Sequence, residues 1–103
     1  MTMTDCGTFN LSQGEELPES ATRCLVEAVK TGYPAHLKAT RLTTEGDPTP
    51  VTYAGGVDGR VEVVTDSRQD GFGTPGITRQ ICTGPVALPE LDFDQCSEPT
   101  PFE

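Results

Sequence analysis

The sequence contains no tryptophan, one histidine, two tyrosines and four phenylalanines, and Leu, Ile, Val and Phe together supply only about a fifth of its 103 residues. A chain so poor in large apolar groups builds a thin core, at the border where charged chains need covalent help to fold. Basic side chains are scarce too: 7 Lys and Arg stand against 16 Asp and Glu, a formal net charge of -9. No nucleic acid partner is expected, because phosphate binding rests on clustered cations, and an anionic membrane surface is disfavoured for the same reason. No apolar run reaches the ~18 residues of a membrane span, so no transmembrane segment is expected. Met1-Thr2-Met3-Thr4 has neither the basic nor the apolar region of a signal peptide, so the sequence as it stands reads as one without a leader. His36 lies far in sequence from every cysteine and no C-x-x-C pair occurs, so neither a metal nor another cofactor is expected.

What the chain does have is an even set of four cysteines, Cys6, Cys24, Cys82 and Cys96. In a short acidic chain these read as two disulfides rather than free thiols or a metal site. Of the three possible connectivities, Cys6 with Cys24 and Cys82 with Cys96 is preferred, because each pair closes a local loop. Closing a loop of about 15 residues is worth roughly 3 kcal/mol, a large share of what a thin core offers. Disulfides imply an oxidising, extracytoplasmic setting, secreted or lipid-anchored as a precursor.

Three regions follow: an N-terminal arm (1–17), an α+β domain (18–83) and an acidic, proline-rich tail (84–103) tied back by a disulfide. In the arm, Phe9 and Leu11 suit an edge strand. From Pro18 to Lys30, Ala21, Cys24, Leu25, Ala28 and Val29 recur at helical spacing, with Glu19 and Lys30 at the ends that favour their charges and Gly32 as the stop. After Tyr33-Pro34 the pattern alternates, and turn residues mark strands near 36–44, 49–54, 60–66 and 77–83. The predicted fold class is therefore α+β: one N-terminal helix packed on a four-stranded antiparallel β-meander, disulfide-stabilised. Within it, Cys82 has the opposite parity to Ile81 and is expected to point away from the helix. Leu42 breaks the alternation of Leu37 and Ala39, which a bulge near Arg41 would explain. His36 reads as a surface or edge residue, and the tail as cover for a sheet face or edge.

In such a meander the first and third turns share one end of the sheet, so Glu45, Asp47, Asp66, Arg68 and Asp70 should meet there, with Phe72 in the glycine-rich loop beside them. Such a rim suits a structural lock in which Arg68 bridges carboxylates. A cation site, a ligand contact and a carboxylate acid/base pair are the functional alternatives. Asp66-Ser67-Arg68-Gln69-Asp70-Gly71 fails as a calcium loop, with Arg at its third position and Ile77 at its twelfth. Gly71-Phe72-Gly73-Thr74-Pro75-Gly76 lacks the Lys of a phosphate loop.

Thr43-Thr44-Glu45-Gly46-Asp47-Pro48, followed by a hairpin and then by Asp66, Asp70, Phe72 and Gly73, gives T-x-E-G-D-P and D-x-x-x-D-x-F-G in order. Over roughly Ala35 to Thr83 the chain resembles a family of small bacterial lipoproteins of unknown function (domain of unknown function 4362), with the four cysteines and the helix as an actinobacterial version. The resemblance implies an exported, often membrane-anchored cell-envelope protein and no known activity. The function expected is that of a non-enzymatic extracytoplasmic module, a monomer binding an unknown protein or envelope ligand. Two alternatives are a small hydrolase pairing Glu45 or Asp47 with Asp66 or Asp70, and a secreted protease inhibitor presenting loop 70–76.

Overall fold

In a computed structural model, which describes residues 4–12, 14–42, 46–56, 58–68, 76–86 and 91–101, the chain forms one helix and seven strands. They run in the order β1 (Thr4–Leu11), α1 (Glu19–Thr31), β2 (Ala35–Leu42), β3 (Pro48–Gly55), β4 (Arg60–Asp66), β5 (Ile77–Val86), β6 (Asp92–Cys96) and β7 (Thr100–Pro101). The predicted four-stranded meander is thus corrected to a seven-stranded mixed sheet of order β1-β2-β3-β4-β5-β6, with β7 also pairing β5. The stretch β2 to β5 is antiparallel throughout, but β1 lies parallel to β2 and α1 carries the crossover between them. A parallel neighbour cannot be reached by a hairpin, which explains why the helix sits where it does.

The helix starts at Pro18, whose carbonyl accepts the N–H groups of Ala21 and Thr22. It ends in a Schellman motif: Gly32, left-handed at φ 81°, donates its N–H to Val29, and the N–H of Tyr33 reaches Ala28 at 2.9 Å. Its inner face buries Ala21, Leu25, Ala28 and Val29 against Ala35 and Leu37 of β2, Val51 of β3, Val61 and Val63 of β4 and Cys82 of β5. Leu25 is wholly buried, a burial worth about 1.5–3 kcal/mol. The helix packs tightly over Gly55, where a Cβ would stand 2.6 Å from a Val29 methyl.

Two glycines let strands turn both of their sides to this core. In β1 the register slips between Asp5, opposite His36, and Thr8, opposite Lys38, so two residues of β1 face one of β2. Gly7, at φ 117°, sits in this bulge, and the parity switch lets Cys6, Phe9 and Leu11 all turn inward. In β5, Cys82 and Pro85 are both buried although three residues apart, and Gly84 between them takes φ 66°.

Three local expectations are corrected here. Cys82, expected to face away from the helix, is 1 % exposed and part of the core, because it lies directly opposite Val61, whose side faces α1. Ile81 instead pairs with Glu62 on the open face. No bulge interrupts β2 near Arg41: its pairing with β3 is continuous from Ala35–Gly55 to Leu42–Pro48, and Leu42 is simply exposed at the strand end. Of the surface-or-edge reading of His36 only the edge is corrected: β2 lies between β1 and β3, while the side chain is 37 % exposed, with its Nε2 3.4 Å from an Asp5 oxygen.

Residues 92–101 return along one edge of β5. Ser97 bridges β6 and β7: its N–H donates to the Ile81 carbonyl, its hydroxyl accepts from the Ile81 N–H, and Gln80 donates to the Ser97 carbonyl. Both disulfides are formed, Cys6–Cys24 tying β1 to α1 and Cys82–Cys96 joining residues directly opposite on β5 and β6.

Candidate functional site

Of the rim residues singled out in the sequence, Asp47, Asp66 and Arg68 fall within the described structure; Glu45, Asp70 and Phe72 lie outside the described residues. The β3–β4 register places the start of β3, and so Asp47, at the same end of the sheet as Asp66 and Arg68. Arg68 grips Asp66 within its own turn: Nε donates to Oδ1 at 3.0 Å, Nη2 to Oδ2 at 2.8 Å, and the Arg68 N–H to Oδ1 at 3.1 Å. These three bonds, with Lys38 nearby, hold the Asp66 carboxyl at about 2, well below the usual carboxylate range. A general acid needs the opposite shift. Ser67 closes the neck of the following loop, its N–H and hydroxyl both donating to the Gly76 carbonyl at 2.8 and 3.0 Å. Among the described residues no group of three His, Cys, Asp or Glu is placed to hold a metal ion.

A recess lies elsewhere. An open groove of about 660 Å³ runs along the outer side of α1, where the helix meets the start of β1. Its walls include Glu19, Arg23, Cys24 and Glu27 of the helix, Thr4 of β1 and Tyr33. Arg23 is engaged by Glu19 at 3.2 Å, an exposed i,i+4 pair, whereas Glu27 makes no ion pair among the described residues. Tyr33 is 58 % exposed. Its backbone is nonetheless fixed, by the Tyr33 N–H to Ala28 bond on one side and on the other by the Pro34 carbonyl, which accepts the Thr4 N–H at 2.9 Å. The Cys6–Cys24 bond ties the helix to the edge strand at the same junction.

Reading the sequence for turn carboxylates missed this groove. The signal was present in the i, i+4, i+8 series Glu19, Arg23, Glu27, which marks a continuous polar side of the helix, followed by an aromatic residue just past the stop at Gly32. What could not be seen was that β1 would lie beside that side of the helix and turn it into a groove. A second, smaller recess of about 240 Å³ involves Glu15, Glu16 and Arg41. Near Arg41, burial raises the Tyr53 phenol above its ordinary value while the guanidinium pulls it down, and burial prevails.

Two disulfides mark a protein suited to an oxidising compartment. No helix among the described residues is long and apolar enough to cross a membrane. No family model matches the chain, and no curated protein and no solved structure matches it either.

Proposed function

We propose that this protein is a non-catalytic binding module of an extracytoplasmic compartment, secreted or lipid-anchored as a precursor, which as a monomer engages a protein or envelope ligand through the groove between α1 and β1. The observation that carries this reading is Tyr33, an aromatic side chain exposed on a backbone pinned at both ends, beside a recess large enough for a ligand. Rigid exposed aromatics give contact area at little cost in conformational entropy, the property of a binding anchor. The two disulfides support an oxidising location, and the resemblance to bacterial lipoproteins supports export. In the hydrolase alternative, Asp66 held ionised by Arg68 is unsuited to the general-acid role. The inhibitor loop, 70–76, lies almost wholly outside the described residues.

The reading is tested by using the oxidised protein as bait for the envelope fraction of its source, alongside a Tyr33→Ala variant with an unchanged melting midpoint. A partner retained by the parent and lost by the variant is the expected result. Identical captures by both would remove the groove from the function.

A further inference from the structure

We infer that the α1–β1 groove accepts an extended peptide segment through an arginine side chain, which stacks on Tyr33 and pairs with Glu27. This rests on the reading of the groove as the binding surface and names its ligand chemistry. Three features of the groove converge on a cation. Tyr33 offers an exposed ring face, on which a guanidinium stacks favourably. Glu27 supplies a carboxylate that no cation among the described residues satisfies, while the neighbouring Glu19 is already neutralised by Arg23. The chain as a whole carries -9, which draws cationic segments toward it and repels acidic ones.

The groove's shape selects a peptide over a small cation. At about 660 Å³ it exceeds what one side chain fills, and it opens beside β1, the terminal strand of the sheet order. A terminal strand turns alternate backbone N–H and C=O groups outward, and an extended segment laid there can bond to them. Gly7 limits such pairing to the first residues of β1, because the bulge disturbs the ladder there and the Asp5 side chain already accepts the Gly7 N–H. The contact is therefore short, near Thr4, with the arginine as its anchor.

The test is a titration of the oxidised protein, followed by amide NMR shifts, with three peptides: acetyl-Thr-Val-Arg-Val-Thr-amide and its counterparts with Gln or Glu at the centre. Saturable shifts at Thr4, Glu27 and Tyr33 are expected with the Arg peptide, weakening as salt is added. Binding of the Gln and Glu peptides should be at least about tenfold weaker, and Glu27→Gln should weaken the Arg peptide by about tenfold. Glu27 and Tyr33 are exposed, so Glu27→Gln and Tyr33→Ala should keep the parent melting midpoint; Tyr33→Ala should lose the Arg peptide as well. Equal binding of all three peptides in the groove would overturn the cationic preference and leave the groove a binding surface. Shifts confined to another region, or none at millimolar Arg peptide, would overturn the inference, and the bait comparison would then decide the wider reading.

Discussion

The ring of Phe93 on β6 stacks on that of Tyr53 on β3, with centroids 6.3 Å apart and planes inclined by 26°. Strands β4 and β5 stand between them, and neighbouring strands are about 4.8 Å apart. Contact over that span, from residues far apart along their strands as well, requires a sheet coiled around its core. The coil answers the shortage of large apolar groups. One helix covers part of the sheet, and Tyr53, Leu91 and Phe93 pack against the rest of the same core. The C-terminal segment thus belongs to the core as well as to the edge of β5.

Removing the Cys6–Cys24 bond by the paired change Cys6→Ser and Cys24→Ser should lower stability by about 3 kcal/mol, from the loop of sequence separation 18 that it closes. Urea unfolding measures this. The slope of the transition should steepen, since the freed denatured chain exposes more surface.

Gly84→Ala should destabilise by about 1–3 kcal/mol, because alanine is strained at φ 66°. Its Cβ would also meet the Asp94 Cβ at 2.5 Å, so relief requires β5 and β6 to part. Amide exchange along Asp92–Cys96 should accelerate ahead of that in β2 and β3, which makes the result specific to this edge.

The Asp66 carboxyl, held at about 2 by Arg68, favours the folded state wherever it is ionised in the fold but partly protonated in the unfolded chain. A lowered folded pKa gives stability that is complete above the unfolded value of about 3.9 and disappears as pH falls through about 2. Acid unfolding of Asp66→Asn should therefore be less steep than that of the parent between these limits. A carboxyl NMR titration should find Asp66 rising toward the ordinary range in Arg68→Ala.

Millimolar calcium should leave the melting temperature unchanged. A site with a dissociation constant of about 10 micromolar would add about 2.7 kcal/mol at 1 millimolar free ion, which thermal unfolding detects readily. Calcium wants six to eight oxygens, and the Arg68 guanidinium already occupies both oxygens of Asp66. A rise of several degrees, abolished by Asp66→Asn, would make the rim a binding site.

Where side-chain pattern and local chain geometry agree, the sequence is readable. The helix shows itself by its stripe, its acidic start and the glycine after Thr31, and the disulfide partners by their local spacing. An edge strand at Phe9 and Leu11 was legible, and β1 is that strand; what escaped recognition was its full extent and the strands β6 and β7 in the tail. In β1, Cys6 and Leu11 have opposite parity, and only the bulge at Gly7 reconciles them; β6 and β7 are short, exposed and interrupted by the Ser97 bridge. Cys82 was assigned the wrong face because parity relative to Ile81 was right while the covered side was not: Val61, directly opposite on β4, decides it. The groove was hidden for a related reason, since it depends on a parallel pairing that no local signal announces.

The two local disulfides also set how the molecule responds to a mechanical load. A pull on residues 4 and 101 cannot straighten the chain between Cys6 and Cys24 or between Cys82 and Cys96, which removes sequence separations of 18 and 14 from the extensible length. At about 3.4 Å per residue the hidden contour amounts to about 60 Å and about 50 Å. Force therefore passes through the first bond into α1 and leaves β5 through the second, so β2, β3, β4 and the short β7 lie wholly outside the two closed loops and can pay out in full. A reducing agent would lengthen the same rupture by the sum of the two, giving each bond its own step on an extension trace.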